Sequence, residues 1–375
     1  MDAQINFKKG EIITADQAMQ MAMDVALKGA PYVSPNPVVG CVVVNADHQF
    51  LAFGYHPKFG QEHAEINALN KLSDHEIKDS TFYVTLEPCA HQGKTGSCAI
   101  KLSSLPIKKV VYGLVDPNPL VRGQGAAILQ KAGIATEEYS GLLKNDLLNL
   151  SEIFLKNFGQ KKVFIAAKIA SSLDGQIALK SGESKWITSA SSRKYVHELR
   201  SYYDAILVGA NTITQDDPSL NIRHDEIQKE NKVIVLDLEN TIFKSDYKFV
   251  KLHYKENIIF AVNKKNPLNL FHQIEFSDLE NLTTQIYELG IRSIFIEGGA
   301  RTYSSFLQAG LIDRLYIFMA PSIIGAQSGL SWTSHVQTES LDKKMNFADL
   351  KVTSLGSDIL LTAKFTSQKS DINFS

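Results

Sequence analysis

Short β-branched runs alternate with stretches of helical periodicity along most of this 375-residue chain, and no other feature narrows its possible folds so far. The series opens at Thr14, where "TADQAMQMAMDVALKGA" starts with a Thr-x-x-Gln capping pattern, carries apolar residues at helical spacing and stops at Gly29. "VVGCVVVN" then reads as a buried strand, "HAEINALNKL" as a helix, "TFYVTLEP" as a strand, "SCAIKLSSL" as a short helix, "KKVVYGLV" as a strand and "GQGAAILQKAG" as a helix. This alternation predicts a layered α/β domain with largely parallel strands. A helical stretch between about 140 and 160 is the expected connector, because alternation then restarts with "VFIAAKIA". It continues through the strand candidates "AILVG", "KVIVLD", "NIIFAV", "SIFIEGG" and "RLYIFMAP", with "SRKYVHELRS" and "ARTYSSFLQAG" as helices between them. Two α/β domains are expected, 1–148 and 149–375.

Composition limits the partners. The net charge is -1 and no Lys/Arg tract stands out, so nothing gathers nucleic acid. The longest aliphatic runs, such as "VVGCVVV", fall far short of the ~18 residues of a membrane span. The amino terminus "MDAQINFKKG" is too polar for the core of a secretory signal, and three cysteines cannot make a disulfide framework. A cytoplasmic protein with a small-molecule substrate, no nucleic acid and no membrane partner is the expectation. Cys41, inside a strand candidate, reads as a small buried hydrophobe.

The other two cysteines share one glycine-bearing loop, "EPCAHQGKTGSC". Paired cysteines in a reducing compartment point to metal or redox chemistry. A redox pair is normally Cys-x-x-Cys, whereas here eight residues separate Cys89 from Cys98, and Gly93 and Gly96 allow the loop to return. Alone, that spacing fits an unliganded pair equally well. "HAE" opens a helix one strand earlier and supplies His63 as a third ligand. Helical positions i and i+2 point ~200° apart, which separates the task of His63 from that of Glu65. Three protein ligands leave a fourth position for water, the arrangement of catalytic zinc. Zinc lowers the pKa of that water from 15.7 to about 7, worth roughly 12 kcal/mol towards hydroxide. Glu65 is then placed to shuttle a proton from the water to the leaving group.

His-x-Glu followed by Pro-Cys and a second Cys is the signature of zinc deaminases acting on nucleobases, usually with Cys-x-x-Cys. With "PNPVVG" at 35–40, "HAE" at 63–65, "LEPCAHQGKTGSC" at 86–98 and "DPNPLVRGQG" at 116–125, the chain closely resembles the deaminase half of the bifunctional riboflavin-biosynthesis deaminase-reductases. The resemblance implies a cytidine-deaminase-like α/β/α layer domain with zinc on His63, Cys89 and Cys98. It also implies a substrate pocket lined by Asn36, His56, His91 and Lys94. Where that family commonly has two prolines before the second cysteine, this chain has Gly96 and Ser97, which puts the stiffness of the loop in question.

In the second half, "SIFIEGGARTYSSFL" runs from a strand through Glu297-Gly298-Gly299 into a helix. Backbone N–H groups at such a helix start suit an anion, though a plain glycine turn reads equally well from this motif alone. "KIASSLDGQIAL", "SGESKWITS" and "LRSYYDAILVGANTITQDDPSLNIR" complete a set that resembles the reductase half of the same family, a dihydrofolate-reductase-like α/β domain using NADPH, over about residues 162–365. That resemblance implies cofactor contacts from Ala170, Trp186, Thr212, Asp216, Gly299, Ala300, Arg301, Thr302, Tyr303, Ser304 and Ser305. It implies substrate contacts from Ser184, Arg200, Leu220, Arg223 and Glu297, the two arginines clamping a 5′-phosphate. Lys168 and Asp174 are candidate reductase acid or polarising groups, and Leu238 stands where relatives often carry a cofactor-binding serine.

The expected activity is hydrolytic removal of a ring amine from a diaminopyrimidinone bearing a phosphoribosylamino group, then NADPH-dependent reduction of the ribosyl chain to ribityl phosphate. A homo-oligomer is expected. A zinc-stapled RNA binder or base-editing enzyme would need a basic stripe that the sequence lacks. A degenerate second domain, kept for binding alone, is encouraged only by Leu238.

Overall fold

A computed structural model describes residues 7–90, 96–118, 122–242 and 246–365. The chain divides into two compact units, Met1–Lys161 and Lys162–Ser375.

The first unit is built on five strands, β1 (Gly40–Val44), β2 (Phe50–Tyr55), β3 (Thr81–Leu86), β4 (Lys109–Leu114) and β5 (Ala135–Glu138), in the order β2-β1-β3-β4-β5. Successive residues of a strand face opposite sides, and the two sides are apolar here. Val42, Val44, Tyr83 and Val111 pack on the helix Ala15–Ala26 through Ala18, Met19 and Ala22. Cys41, Val43, Phe82, Val84 and Val110 pack on the opposite side against Ala64, Ala68, Leu102 and Leu129. The result is the expected α/β/α layering, with Cys41 fully buried as core filler. The first helix starts as the sequence predicts: Thr14 Oγ1 accepts from Gln17 N (3.2 Å) and Gln17 Oε1 accepts from Thr14 N (2.8 Å).

The sheet is less parallel than expected. β1 is antiparallel to both β2 and β3, and only the β3–β4 and β4–β5 pairs are parallel. The tight β1–β2 hairpin accounts for this, since a short turn can only join antiparallel neighbours. The supposed connector is also different. It is two helices, Lys144–Leu150 and Glu152–Gln160, whose Leu147 and Phe154 belong to the core beside the first helix. The compact division therefore falls at 161/162, thirteen residues beyond the 148/149 boundary expected from sequence, because those apolar side chains are buried in the first unit.

The second unit carries β6 (Phe164–Ser172), β7 (Gln176–Leu179), β8 (Ala205–Gly209), β9 (Lys232–Leu236), β10 (Ile258–Val262), β11 (His272–Glu275), β12 (Ser293–Ile296), β13 (Arg314–Ala320), β14 (Gly329–Ser331), β15 (Phe347–Leu355) and β16 (Asp358–Phe365). Among the described residues nine of these form one sheet in the order β11-β10-β9-β8-β12-β6-β13-β16-β15, and β7 pairs with β14 apart from it. From β11 to β13 every pair is parallel; β16 and β15 close the edge antiparallel. Ile165, Ala167, Leu207 and Ile296 face one helical layer, and Ile206, Val208, Val233 and Val235 face the other. The active crevice of such a sheet lies beyond the carboxyl ends of its parallel strands.

Candidate active sites

In the first unit, the buried strand β3 delivers Glu87-Pro88-Cys89 to its carboxyl end, and two short helices bring the other donors. His63 is not inside its helix. It is the N-cap of Ala64–Leu69, with extended backbone (φ -75°, ψ 167°), so its ring leaves the axis while Glu65 sits within the first turn. The separation of tasks expected from helical spacing thus comes instead from a capping position. Cys98 begins the helix Cys98–Ser103 behind Ser97, whose Oγ accepts from Ile100 N (3.2 Å).

His63 Nδ1 lies 3.5 Å from Cys89 Sγ and 3.3 Å from Cys98 Sγ, and the three atoms are within 4.8 Å of one another. A tetrahedral zinc ion with bonds of about 2.3 Å to sulfur and about 2.0 Å to nitrogen needs N···S edges of about 3.5 Å. The donor set and its spacing fit zinc. A hydrogen bond from Cys98, with a further one from His63, favours Cys89 as thiolate, and that same contact together with burial pushes the Cys98 thiol up. Burial, with the nearby Cys89 charge, raises the Glu65 carboxyl to about 7.

The other residues expected here divide. The Asn36 side-chain amide donates to His56 Nε2 (3.1 Å), so Nδ1 carries the proton and donates to the Glu62 carbonyl (3.0 Å). Burial lowers the pKa of this ring, and its centroid stands 5.1 Å from that of His63. Asn36 and His56 therefore form a fixed pair beside the metal-binding cluster. His91 and Lys94 lie outside the described residues. The loop's departure from the proline pattern has a structural counterpart: Gly96 adopts φ +79°, which proline cannot reach. Ser97 Oγ donates to the Cys89 carbonyl (2.7 Å), a tie that a proline there would lack.

In the second unit a cavity of ≈ 1830 Å³ opens at the carboxyl ends of β6, β8, β9 and β12. It exceeds the ~300–1,000 Å³ of an ordinary single-ligand pocket and so has room for a dinucleotide beside a second molecule. Its lining includes Ala170, Trp186, Thr212, Asp216, Gly299, Ala300, Arg301, Thr302, Tyr303 and Ser305 of the expected cofactor set. It also includes Ser184, Arg200, Leu220, Arg223, Glu297 and Lys168. Two expected residues are elsewhere. Ser304 is buried in the helix Ala300–Gln308 and does not line the cavity. Asp174 is a structural clamp: it accepts from Ser172 Oγ (2.6 Å), Ile324 N (3.2 Å) and Gly325 N (2.7 Å), bonds that hold its pKa below the usual carboxylate range.

Residues assigned separately form one ionic network. Arg200 grips the buried Glu297 through Nε and, at 3.0 Å, Nη2, while Lys168 Nζ stands 3.5 Å from Glu297 Oε2. Burial works to raise the Glu297 carboxyl, but the two cations prevail and hold it at about 2. Arg200 Nη1 is also engaged, donating to the Asn221 carbonyl (2.8 Å). Arg223 is the less committed guanidinium, touching Ser219 Oγ and His197 Nε2 at 3.0 Å each. His197 was missed by sequence reasoning. Its position three residues before Arg200 puts both on one helix face, and burial with the two arginines lowers its pKa to about 4. Leu238 lines the same cavity, half-exposed.

Comparison with known proteins matches both halves. Residues 163–361 fit the family model described as the RibD C-terminal domain, and residues 13–114 fit the cytidine and deoxycytidylate deaminase zinc-binding region. The riboflavin biosynthesis protein RibD of Aquifex aeolicus is 36% identical over 353 residues, covering 92% of this chain and 97% of that protein. Among solved structures, RibD of Acinetobacter baumannii superposes with a TM-score of 0.83 at 35% identity, covering 94% of this chain and 99% of that one. A Thermotoga maritima diaminohydroxyphosphoribosylaminopyrimidine deaminase/5-amino-6-(5-phosphoribosylamino)uracil reductase superposes with a TM-score of 0.81 at 32% identity, over 94% and 99% of the two chains.

Fold and sites together define a bifunctional enzyme, a zinc-binding deaminase domain followed by an NADPH-dependent reductase domain. The chain belongs to the RibD family of riboflavin biosynthesis proteins.

Proposed function

We propose that the first unit hydrolyses the ring amine of a diaminopyrimidinone carrying a phosphoribosylamino group, and that the second reduces the ribosyl chain of the product to ribityl phosphate. His63, Cys89 and Cys98 would hold zinc, which when bound supplies Lewis acidity that makes water a nucleophile near neutral pH. Glu65 takes a proton from the attacking water and returns it to the departing amine, so that water and the ring amine become a ring carbonyl and ammonia. A buried carboxyl beside the donor cluster is placed to serve in both directions. The Asn36–His56 pair orients the pyrimidine.

In the second unit Thr212, Asp216 and the start of the helix Ala300–Gln308 would hold NADPH, which when bound would supply the hydride. Arg223, with donors to spare, holds the substrate phosphate, while Arg200 fixes Glu297, which in turn aims Lys168. The Lys168 ammonium delivers the proton that the arrival of a hydride on the opened ribose requires. The protein acts on this substrate in the cytoplasm as a homo-oligomer. Among the described residues, no helix is long and apolar enough to cross a membrane.

The convergence of one imidazole and two thiols on a single point, next to a buried carboxyl, carries this reading. Purified protein is incubated with the phosphorylated diaminopyrimidinone and the products are weighed by mass spectrometry. Ammonia and the deaminated pyrimidine are expected without NADPH, and the ribityl product with it. No mass change under either condition would overturn the reading.

A further inference from the structure

Glu87 is a buried carboxylate, 4% exposed, two residues before the Cys89 donor, and the chemistry above gives it no part. Its Oε2 accepts from Asp116 N (3.2 Å) and Gly123 N (3.0 Å), and its Oε1 accepts from Ala126 N (3.2 Å). All three donors lie in the "DPNPLVRGQGA" segment, which runs into the helix Gln124–Lys131. Gly123 is the N-cap of that helix and Ala126 lies in its first turn, so Glu87 caps it from another part of the chain. The same segment touches the next residue as well: a Cβ on Gly125 would come 1.9 Å from the Pro88 carbonyl oxygen and 3.3 Å from Glu87 Oε1.

We infer that Glu87 is a positioning residue for the metal centre: by locking the end of β3 to Asp116 and to the start of the helix Gln124–Lys131 it holds the Cys89 sulfur where zinc needs it. This rests on the reading of His63, Cys89 and Cys98 as zinc ligands. Zinc–ligand distances tolerate only about ±0.2 Å, and only Pro88, with its restricted φ, stands between the carboxylate and the ligand. From the other side Ser97 Oγ holds the Cys89 carbonyl (2.7 Å), and Cys98 N donates to Cys89 Sγ (3.3 Å). Glu87 supplies the anchor that these local contacts lack, because it reaches a segment about thirty residues away.

The substitution Glu87→Gln keeps the shape but offers one acceptor oxygen where three N–H groups need two, and turns its own NH2 towards a donor. In the full-length protein, zinc affinity measured by competition with a chromogenic chelator should fall about 10–100-fold, the range for lost outer-shell support. Ammonia release should fall with it and recover at saturating zinc with KM unchanged, while NADPH oxidation on a supplied deaminated substrate stays at the unaltered rate. Gly125→Ala, whose added Cβ would press on the Pro88 carbonyl and displace this contact, should show the same signature. Should Glu87→Gln not accumulate, Glu87→Asp keeps the charge but cannot span all three donors, and should weaken zinc about tenfold. Zinc affinity within twofold of the unaltered protein would overturn the inference, as would parallel loss of both activities. If the unaltered protein itself binds no zinc, the metal reading fails; equal zinc binding by unaltered and variant proteins sinks only the role of Glu87.

Discussion

The two sites solve opposite problems. In the first unit, three donors from a strand's end, a helix start and a helix cap crowd within 4.8 Å of one another, and the chemistry sits at a point. In the second, a cavity of ≈ 1830 Å³ is spread across the ends of four strands, and a charge network in its wall, Arg200–Glu297–Lys168, joins residues 129 positions apart. The contrast shows what each reaction asks of a protein. A deaminase of this kind needs a metal and one proton carrier held closely. A reductase borrows its chemistry from the cofactor and must instead align two large molecules.

The largest effect that would sharpen this contrast is at Glu65. Glu65→Gln should lower ammonia release about 10²–10⁴-fold while leaving zinc content and the reductase rate unchanged. A deaminase that stayed active would show that the proton carrier is elsewhere.

At the second site the corresponding change is Glu297→Gln. Removing the anion leaves two half-buried cations near each other and should destabilise that unit by about 1.5–3 kcal/mol, the range for hydrogen bonds to charged groups. Calorimetry would register this as an early transition for one unit only; a single unchanged transition would mean that the network does not support the fold.

The same carboxylate makes the contrast depend on pH. Its folded pKa of about 2 lies below the ~4.3 of an unfolded glutamate, so its contribution is complete above about pH 4.3 and drains away as pH falls towards 2. The difference amounts to about 3 kcal/mol. Acid unfolding of the second unit should therefore steepen over that window in the unaltered protein and lose the extra slope in Glu297→Gln. An identical slope in both would remove Glu297 as its source.

The smallest effect separates the two arginines. Arg223→Ala should weaken the phosphorylated substrate by roughly tenfold and barely affect its dephosphorylated analogue, with kcat little changed. Equal losses on the two substrates would take Arg223 out of the phosphate site.

Much of this was readable before any coordinates. The helix at Ala15–Ala26 announces itself through its Thr14–Gln17 capping box, and the buried strands β1, β3, β6 and β9 through short β-branched runs. β2, β5, β7, β11, β14, β15 and β16 were not anticipated. β15 is largely exposed and lies at a sheet edge, so packing imposes little apolar pattern on it. Asp174 was a candidate acid or polarising group, yet its oxygens accept from Ser172 and the 324–325 backbone, and the 324–325 partners are ones that no local pattern could show.

The amino-acid sequence by itself determined the donor set of the metal centre, the layered α/β character of both halves and the capping that starts key helices. Those depend on residue type and on contacts between near neighbours, which spacing records directly. Only the tertiary structure decided that Glu87 fastens the Cys89 strand to a distant loop, that Arg200 serves Glu297, and that the helices at 144–160 belong to the first core. Each of these is a partnership between side chains and backbone groups brought together by strand order, and the chain carries no local mark of which buried group will meet which.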